Sequence, residues 1–398
     1  MNLIKVVHFR AVIEHYRVPI FRRLSKITGV DFKVYAGDTR RNFQEQRVAT
    51  ARDVGKTEGI QWNHIKSFWV PWPVPMFWQP GAVKAALKEP MDAAIISLRF
   101  SSLSGILVRL ICCVRGIPVL EWGHLFTHRK RGLRFHFRMF WYRRAQVLLP
   151  YGRFAKKYLL KLGFPKSRLF VVGNSLDYKA QRAVRQGLTE KDQKACRESF
   201  GASRADDRLV FFCGRLEKRK RIDLLIKAVA QLKKRGRRVF CVIIGEGRES
   251  EELKALSREM GLEDRITFLG ACYDESRVGK IIFSCDLCVV PHAAGLSAVH
   301  SLVYGVPVLT SHVLQGDHGP EIETVVEGVT GSFFKDNDLD DLVKKMEAML
   351  YPEPSLIRMS ENCQNMIDKA YTPARQERIF IKALNSCLPL NKQIVLKD

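Results

Sequence analysis

Pro291-His-Ala-Ala-Gly295-Leu-Ser-Ala-Val-His300-Ser-Leu-Val-Tyr-Gly305-Val-Pro-Val-Leu-Thr310 reads as a strand end, a glycine-bearing loop, a short helix, a glycine stop and the next strand. A helix that starts this way offers N–H groups with no carbonyl ahead of them and the positive end of its dipole, a seat for phosphate. Gly295 lets the backbone come close to a ligand, and Gly305 suits the helix C-terminus. The segment Leu296–Ser297 supplies the first amides. One such unit is commonplace; its weight comes from an earlier stretch. Phe211-Phe-Cys-Gly-Arg215-Leu-Glu-Lys-Arg-Lys220-Arg-Ile-Asp also ends a strand and opens a helix. Gly214 allows the turn. Arg215 offers a planar fork of donors and Lys220 a mobile point charge, so both can converge on one diphosphate. A basic run is ordinarily a solvated turn. Here Gly245-Glu-Gly247 and Phe268-Leu-Gly270 sit at further strand ends of the same sheet, which favours a ligand site.

Around these segments, short apolar runs alternate with helical patterns through both halves of the chain. That alternation, with short connections, predicts open and largely parallel sheets covered on both faces. Ligands of such sheets lie beyond the carboxyl ends of the strands. The expected fold class is α/β, with two Rossmann-like domains. Domain limits are expected at residues 1–175 and 176–372, with Gly173-Asn-Ser-Leu-Asp177 as a hinge. A last helix, in residues 373–398, is expected to pack back on the first domain.

Length and composition agree. A chain of 398 residues with 46% apolar content divides naturally into about two domains. Its 10 cysteines lack framework spacing and read as reduced core residues of a cytosolic protein. The single Cys285–Cys288 pair lies in a strand-like run, where packing is the favoured reading over metal or redox work. No segment reads as a membrane span: the best, 103–120, is broken by Arg109, Arg115 and Gly116-Ile-Pro118. Charge is lopsided. Residues 1–178 hold 31 Lys and Arg against 10 Asp and Glu, whereas 179–398 hold 35 against 31. The first half therefore asks for an anionic partner, a membrane surface or nucleic acid.

Taken in order, Gly-Arg-Leu-x3-Lys, Ile-Gly-x-Gly, Phe-Leu-Gly, the 291–310 unit, Pro320-Glu321 and Gly328-Val-Thr-Gly331 resemble the second domain of retaining GT-B glycosyltransferases of family four (glycosyl transferases group 1). The resemblance covers about residues 207–350. The first half is similar more loosely, through Tyr16-Arg-Val-Pro-Ile-Phe21 and Trp122-Gly-His124. It implies domains facing each other across a cleft, a nucleotide-sugar donor on the second and an acceptor on the first. Arg215 and Lys220, joined by backbone N–H groups around Ala294–Ser297, would then stabilise charge on the leaving nucleotide, which is electrostatic catalysis. Gly214, Gly245, Gly270, Gly295, Leu296, Ser297 and Glu321 would line the donor. His124 matches a position where the family often has a cleft histidine. The family's paired glutamates would fall on His292 and His300. A neutral imidazole still hydrogen-bonds, but it is shorter and lacks a fixed negative charge. Three readings stay open: a site retuned for another donor sugar, a dispensable contact, or lost catalysis.

In the first half, Arg10, Tyr16 and Arg17 follow the first strand and are expected near the acceptor or the donor phosphate. Glu121 is read either as a buried partner of arginines or as an acceptor contact. Arg129–Arg144 interleaves seven cations with five aromatic residues, and Phe68–Trp78 is an aromatic run broken by proline. Such mixtures suit a membrane interface, with Trp72, Trp78, Arg134, Arg138 and Trp141 as contacts. The expectation is a cytoplasmic hexosyltransferase-type enzyme (EC 2.4), peripheral on the inner face of the membrane. It would move a sugar to a lipid-linked or membrane-proximal glycan in polysaccharide or lipopolysaccharide assembly. No cofactor and no metal are expected; the co-substrate is a UDP-sugar first and GDP-mannose second. The alternative is a non-catalytic nucleotide-sugar or glycan-binding protein. Nucleic acid rests on charge alone, with no recognised module, and is set aside.

Overall fold

The computed structural model describes residues 3–37, 58–70, 76–98, 100, 102–126, 132–312, 318–351 and 354–395. The chain divides into two compact units, Met1–Ser175 with Pro373–Asp398, and Leu176–Thr372.

The first unit is built on β1 (Ile4–Phe9), β2 (Val30–Ala36), β3 (Gln61–His64), β6 (Ala93–Ile96), β7 (Val119–Gly123) and β8 (Val147–Pro150). They pair in the order β3-β2-β1-β6-β7-β8, parallel throughout. Parallel strands covered on both faces must be apolar on both, and β6 and β8 are buried at every position. Between β3 and β6, the two described ends of the aromatic run, β4 (Phe68–Val70) and β5 (Met76–Trp78), pair antiparallel. The stretch 169–172 runs beside β8: Leu169 bridges Leu148, and the Phe170 and Val172 N–H groups donate to the Leu148 and Pro150 carbonyls at 3.0 Å. The last helix, Pro373–Asn385, belongs to this unit, and its Phe380 ring lies edge-on to Trp122 at 4.8 Å.

The second unit repeats the scheme with β9 (Arg208–Cys213), β10 (Val239–Ile244), β11 (Ile266–Gly270), β12 (Leu287–Val290), β13 (Val308–His312) and β14 (Gly331–Lys335). Their order is β11-β10-β9-β12-β13-β14, again parallel. Cys285 and Cys288 are buried and unlinked, packed as apolar groups. The unit opens with Asp177, whose carboxylate accepts from the Ala180 N–H at 3.3 Å and caps the helix Tyr178–Gly187.

In both sheets the strand order reverses beside the first strand, between β1 and β6 and between β9 and β12. Connections leave these paired strands in opposite directions, so a crevice opens at their carboxyl ends. Arg10 follows β1. Gly214 follows β9, and Pro291 follows β12.

Candidate active site

At the second unit's reversal point, the β9 and β10 loops meet backbone to backbone. A Cβ built on Gly245 would lie 1.8 Å from the Gly214 carbonyl oxygen, and Gly245 has φ +143°. Only glycine allows this approach. The chain then turns through a short 3-10 segment, Lys218–Lys220, into the helix Ile222–Lys234. Arg215 is half-buried and ion-paired with Glu217 at 2.7 Å. Lys220 Nζ donates to the Ala293 carbonyl, which ties the β9 loop to the β12 loop. Burial first, then the charges of Arg219 and Arg215, bring the Lys220 ammonium down to about 8 from its ordinary 10.5. Glu321 acts on the same ammonium with the opposite sign. The structure thus gathers Arg215, Lys220 and Glu321 on one locus.

Across from them, Pro291–Gly295 runs into the helix Leu296–Val303. Ala293 adopts φ +53°, a conformation uncommon for a residue with a side chain. At Gly295 a Cβ would meet nothing within 4 Å, so the residue borders open space rather than a tight approach. The Ala294 N–H, expected to face phosphate, instead donates to His318 Nδ1 at 3.0 Å, whose Nε2 bonds the Ser311 carbonyl at 2.9 Å. The amides of Leu296 and Ser297, on the first turn, have no carbonyl ahead of them in the helix. Gly319 N–H donates to the Ala294 carbonyl at 2.7 Å and so brings the buried Glu321 beside this loop. Gly270, φ +71°, closes β11 beside Glu246.

Both histidines are paired with carboxylates. His300 Nε2 lies 2.8 Å from Glu275 Oε1, which also accepts from the Tyr304 hydroxyl at 2.7 Å. Burial opposes a charge on His300, but Glu275 and then Cys213 outweigh it and lift the imidazole to about 10. His300 is therefore an imidazolium at neutral pH, which corrects the expectation from sequence. His292 Nδ1 lies 3.0 Å from Asp336 Oδ1, and its ring stacks on His318 at 6.3 Å. Each histidine is thus paired with a carboxylate from another element. Glu275 and Asp336 escaped the sequence reading, although both follow strands, β11 and β14, at the carboxyl end where ligand groups are sought.

The first unit's candidates scatter more. His124 is exposed just past β7, its ring 5.1 Å from Tyr151. Arg10 and Arg17 are buried, and Tyr16 is half-buried beside them. Glu121 is a buried structural partner, not an acceptor contact: Arg109 grips it with two hydrogen bonds of 2.5 and 2.8 Å. Trp141 corrects another expectation. It is 8% exposed, on the buried side of the helix Leu133–Arg144, so it cannot reach a membrane. Leu133, Phe137 and Phe140 form that helix's exposed apolar side, with Arg134 exposed and Arg138 partly so. Trp78 is half-buried in β5; Trp72 lies outside the described residues. Among the described residues, no helix is long and apolar enough to cross a membrane.

The order of loops in the second unit decides the family comparison. Residues 197–370 match the glycosyl transferases group 1 family. The chain is similar to D-inositol 3-phosphate glycosyltransferase of Mycolicibacterium smegmatis, 30% identical over 176 residues, 43% of this chain and 38% of that protein. Alpha-D-kanosaminyltransferase of Streptomyces kanamyceticus is 28% identical over 250 residues, 62% of this chain and 58% of that one. The chain therefore spans well under two thirds of either relative. Among solved structures, a glycosyltransferase from Rickettsia africae superposes with TM-score 0.75 at 14% identity, covering 97% of this chain and 99% of that one. Anabaena Alr3699/HepE in complex with UDP and glucose gives 0.70 at 15%, covering 96% and 99%. These likenesses establish the fold, that of the GT-B glycosyltransferases, around the group 1 region.

Proposed function

We propose that this chain is a glycosyltransferase whose second unit grips a nucleotide-sugar and whose first unit presents a glycan acceptor. The observation that carries the reading is the convergence of Arg215, Lys220 and Glu321 on the β9–β12 reversal point, beside the first turn of the helix Leu296–Val303. Two cations and exposed amides suit a diphosphate. As the bond from the sugar's anomeric carbon to the diphosphate breaks, the negative charge that develops on phosphate is met by Lys220 and Arg215. The acceptor oxygen bonds to that carbon on the same face, and its proton passes to the departing phosphate. Configuration is retained, and the chain's own cations meet the phosphate charge without a resident cofactor. A UDP-sugar is the first candidate donor, supported by the neighbour solved with UDP and glucose, and GDP-mannose the second. His292 and His300, each joined to a carboxylate, fit a site retuned for its sugar. An alternative, binding without turnover, lacks a comparable supporting observation.

The acceptor is lipid-linked or membrane-proximal, as in polysaccharide or lipopolysaccharide assembly, and the chain works peripherally on the cytoplasmic leaflet. Support comes from the +21 excess in residues 1–178 and from the exposed Leu133, Phe137 and Phe140 beside arginines. Apolar side chains at headgroup level and cations toward anionic lipid suit an interface.

A panel of UDP-, GDP-, dTDP- and CMP-sugars tests the reading by release of the nucleotide. One donor is expected to turn over and to raise the melting temperature. Binding without release of nucleotide for every donor and acceptor would favour the non-catalytic alternative. Co-sedimentation with anionic vesicles at low salt, lost in Phe137→Ser/Phe140→Ser, tests the membrane part.

A further inference from the structure

We propose that the first unit contains an oxyanion cradle, formed by Arg10 and Trp122 at the carboxyl ends of β1 and β7, that takes a phosphate or carboxylate group of the acceptor; the acceptor role rests on the transfer reading, the site itself does not. Arg10 is 6% exposed. Its Nε donates to the Val12 carbonyl at 2.8 Å and its Nη2 to Glu14 at 2.6 Å. Its Nη1 is buried and meets no partner. The indole Nε1–H of Trp122 is likewise buried and unmet. So is Nδ1 of His8, whose Nε2 lies 2.9 Å from the Ser97 hydroxyl.

These groups are neighbours. The Arg10 guanidinium is 5.5 Å from the Trp122 ring centroid, and the His8 ring is 5.3 Å from it. Arg17 lies 4.8 Å from the same indole and 4.7 Å from the Tyr151 ring. Burial first, then the charges of Arg10 and Arg17, hold His8 well below the ordinary imidazole value, so both cations act where the orphaned groups lie. Glu14 occupies one edge of the guanidinium and steadies it, leaving Nη1 for a ligand. The half-buried Tyr16 lies 5.3 Å from the Arg17 guanidinium, and the exposed His124 lies 5.1 Å from the Tyr151 ring.

A buried donor left unmet costs about 1–3 kcal/mol, and folded proteins rarely tolerate one without a use. Two unmet donors on adjacent side chains within a positive field call for oxygen atoms bearing negative charge. An uncharged sugar hydroxyl would satisfy the donors but not the field.

The test is calorimetric titration of the full chain carrying Lys220→Ala, which removes the second unit's diphosphate grip, with inorganic phosphate, glucuronate and glucose. Phosphate or glucuronate is expected to bind and glucose not; whichever anion binds more tightly names the group. Trp122→Phe keeps an aromatic ring and removes the N–H; it should weaken anion binding about tenfold with the circular dichroism spectrum kept, while the smaller ring in the core lowers the melting temperature. Arg10→Gln should abolish it. No anion binding, or binding indifferent to both substitutions, overturns the cradle. Anion binding of this kind, together with no nucleotide-sugar turnover by the unsubstituted chain, would keep the cradle and sink the transfer reading; turnover by the unsubstituted chain without anion binding would do the reverse.

Discussion

The two units share one strand order, with a reversal point beside the first strand, yet they furnish it differently. In the second unit the loops are pressed together through backbone, Gly245 against the Gly214 carbonyl, and one lysine stitches β9 to β12. In the first unit the same place is filled by large side chains, with Arg10 and Arg17 over Trp122. Its other buried charge, Arg109, is consumed by Glu121. Backbone contacts leave room and amides for a diphosphate. Side-chain packing builds a more individual surface, fitted to whatever the first unit must recognise. Topology fixes where a site opens, and the residues after each strand decide what it can hold.

Four experiments probe that contrast. Removing Arg109 should have the largest effect: Arg109→Met strands the Glu121 carboxylate in a dry interior and should cost about 3–5 kcal/mol in urea unfolding. A loss under about 1 kcal/mol would mean the first unit tolerates unpaired charge, against the contrast drawn here. Next, Lys220→Ala should lower transfer about 10²–10³-fold while leaving the first unit folded by circular dichroism. Wild-type turnover in that variant would remove Lys220 from the grip. Third, Glu275→Gln should destabilise the second unit by about 1 kcal/mol. The pair's contribution is whole below pH 6.5, where His300 is charged folded or unfolded, and is lost as pH rises through about 10. The variant should therefore differ most from wild type below pH 6.5, down to the acid range where Glu275 takes up a proton, and its His300 signals in NMR should titrate well below about 10. The smallest effect concerns protons. A diphosphate beside Lys220 favours its charged form, so donor binding above the free value of about 8 should take up a proton and weaken with rising pH. Calorimetry in buffers of different ionisation enthalpy reads that uptake; none at pH 8.5 would mean that the phosphate stays away from Lys220.

Much of the second unit was legible in the sequence because its signals are local. Gly214, Arg215 and Lys220 lie on one turn, and a strand end followed by glycine and a helix needs no distant information to be read. The partners of the histidines were not legible in this way. His300 meets Glu275 from a different helix, and His292 meets Asp336 from beyond β14. Such contacts depend on sheet order, which alternating patterns do not specify. Trp141 failed for a related reason: aromatic and basic residues interleave along the helix Leu133–Arg144, and composition does not say which side faces the core. Of its five aromatic side chains, Phe135, Trp141 and Tyr142 are buried while Phe137 and Phe140 are exposed.

By itself, then, the sequence determined two α/β units, the charge imbalance between the halves and the glycine- and cation-bearing pattern of the loops after β9 and β12, since all of these follow from periodicity, composition and short spacing. The tertiary structure alone decided the charge on His300, the inward turn of Trp141 and the unmet donors of Arg10 and Trp122. Each depends on which groups share a dry volume, and burial strengthens electrostatic and hydrogen-bonding demands that water would otherwise have met.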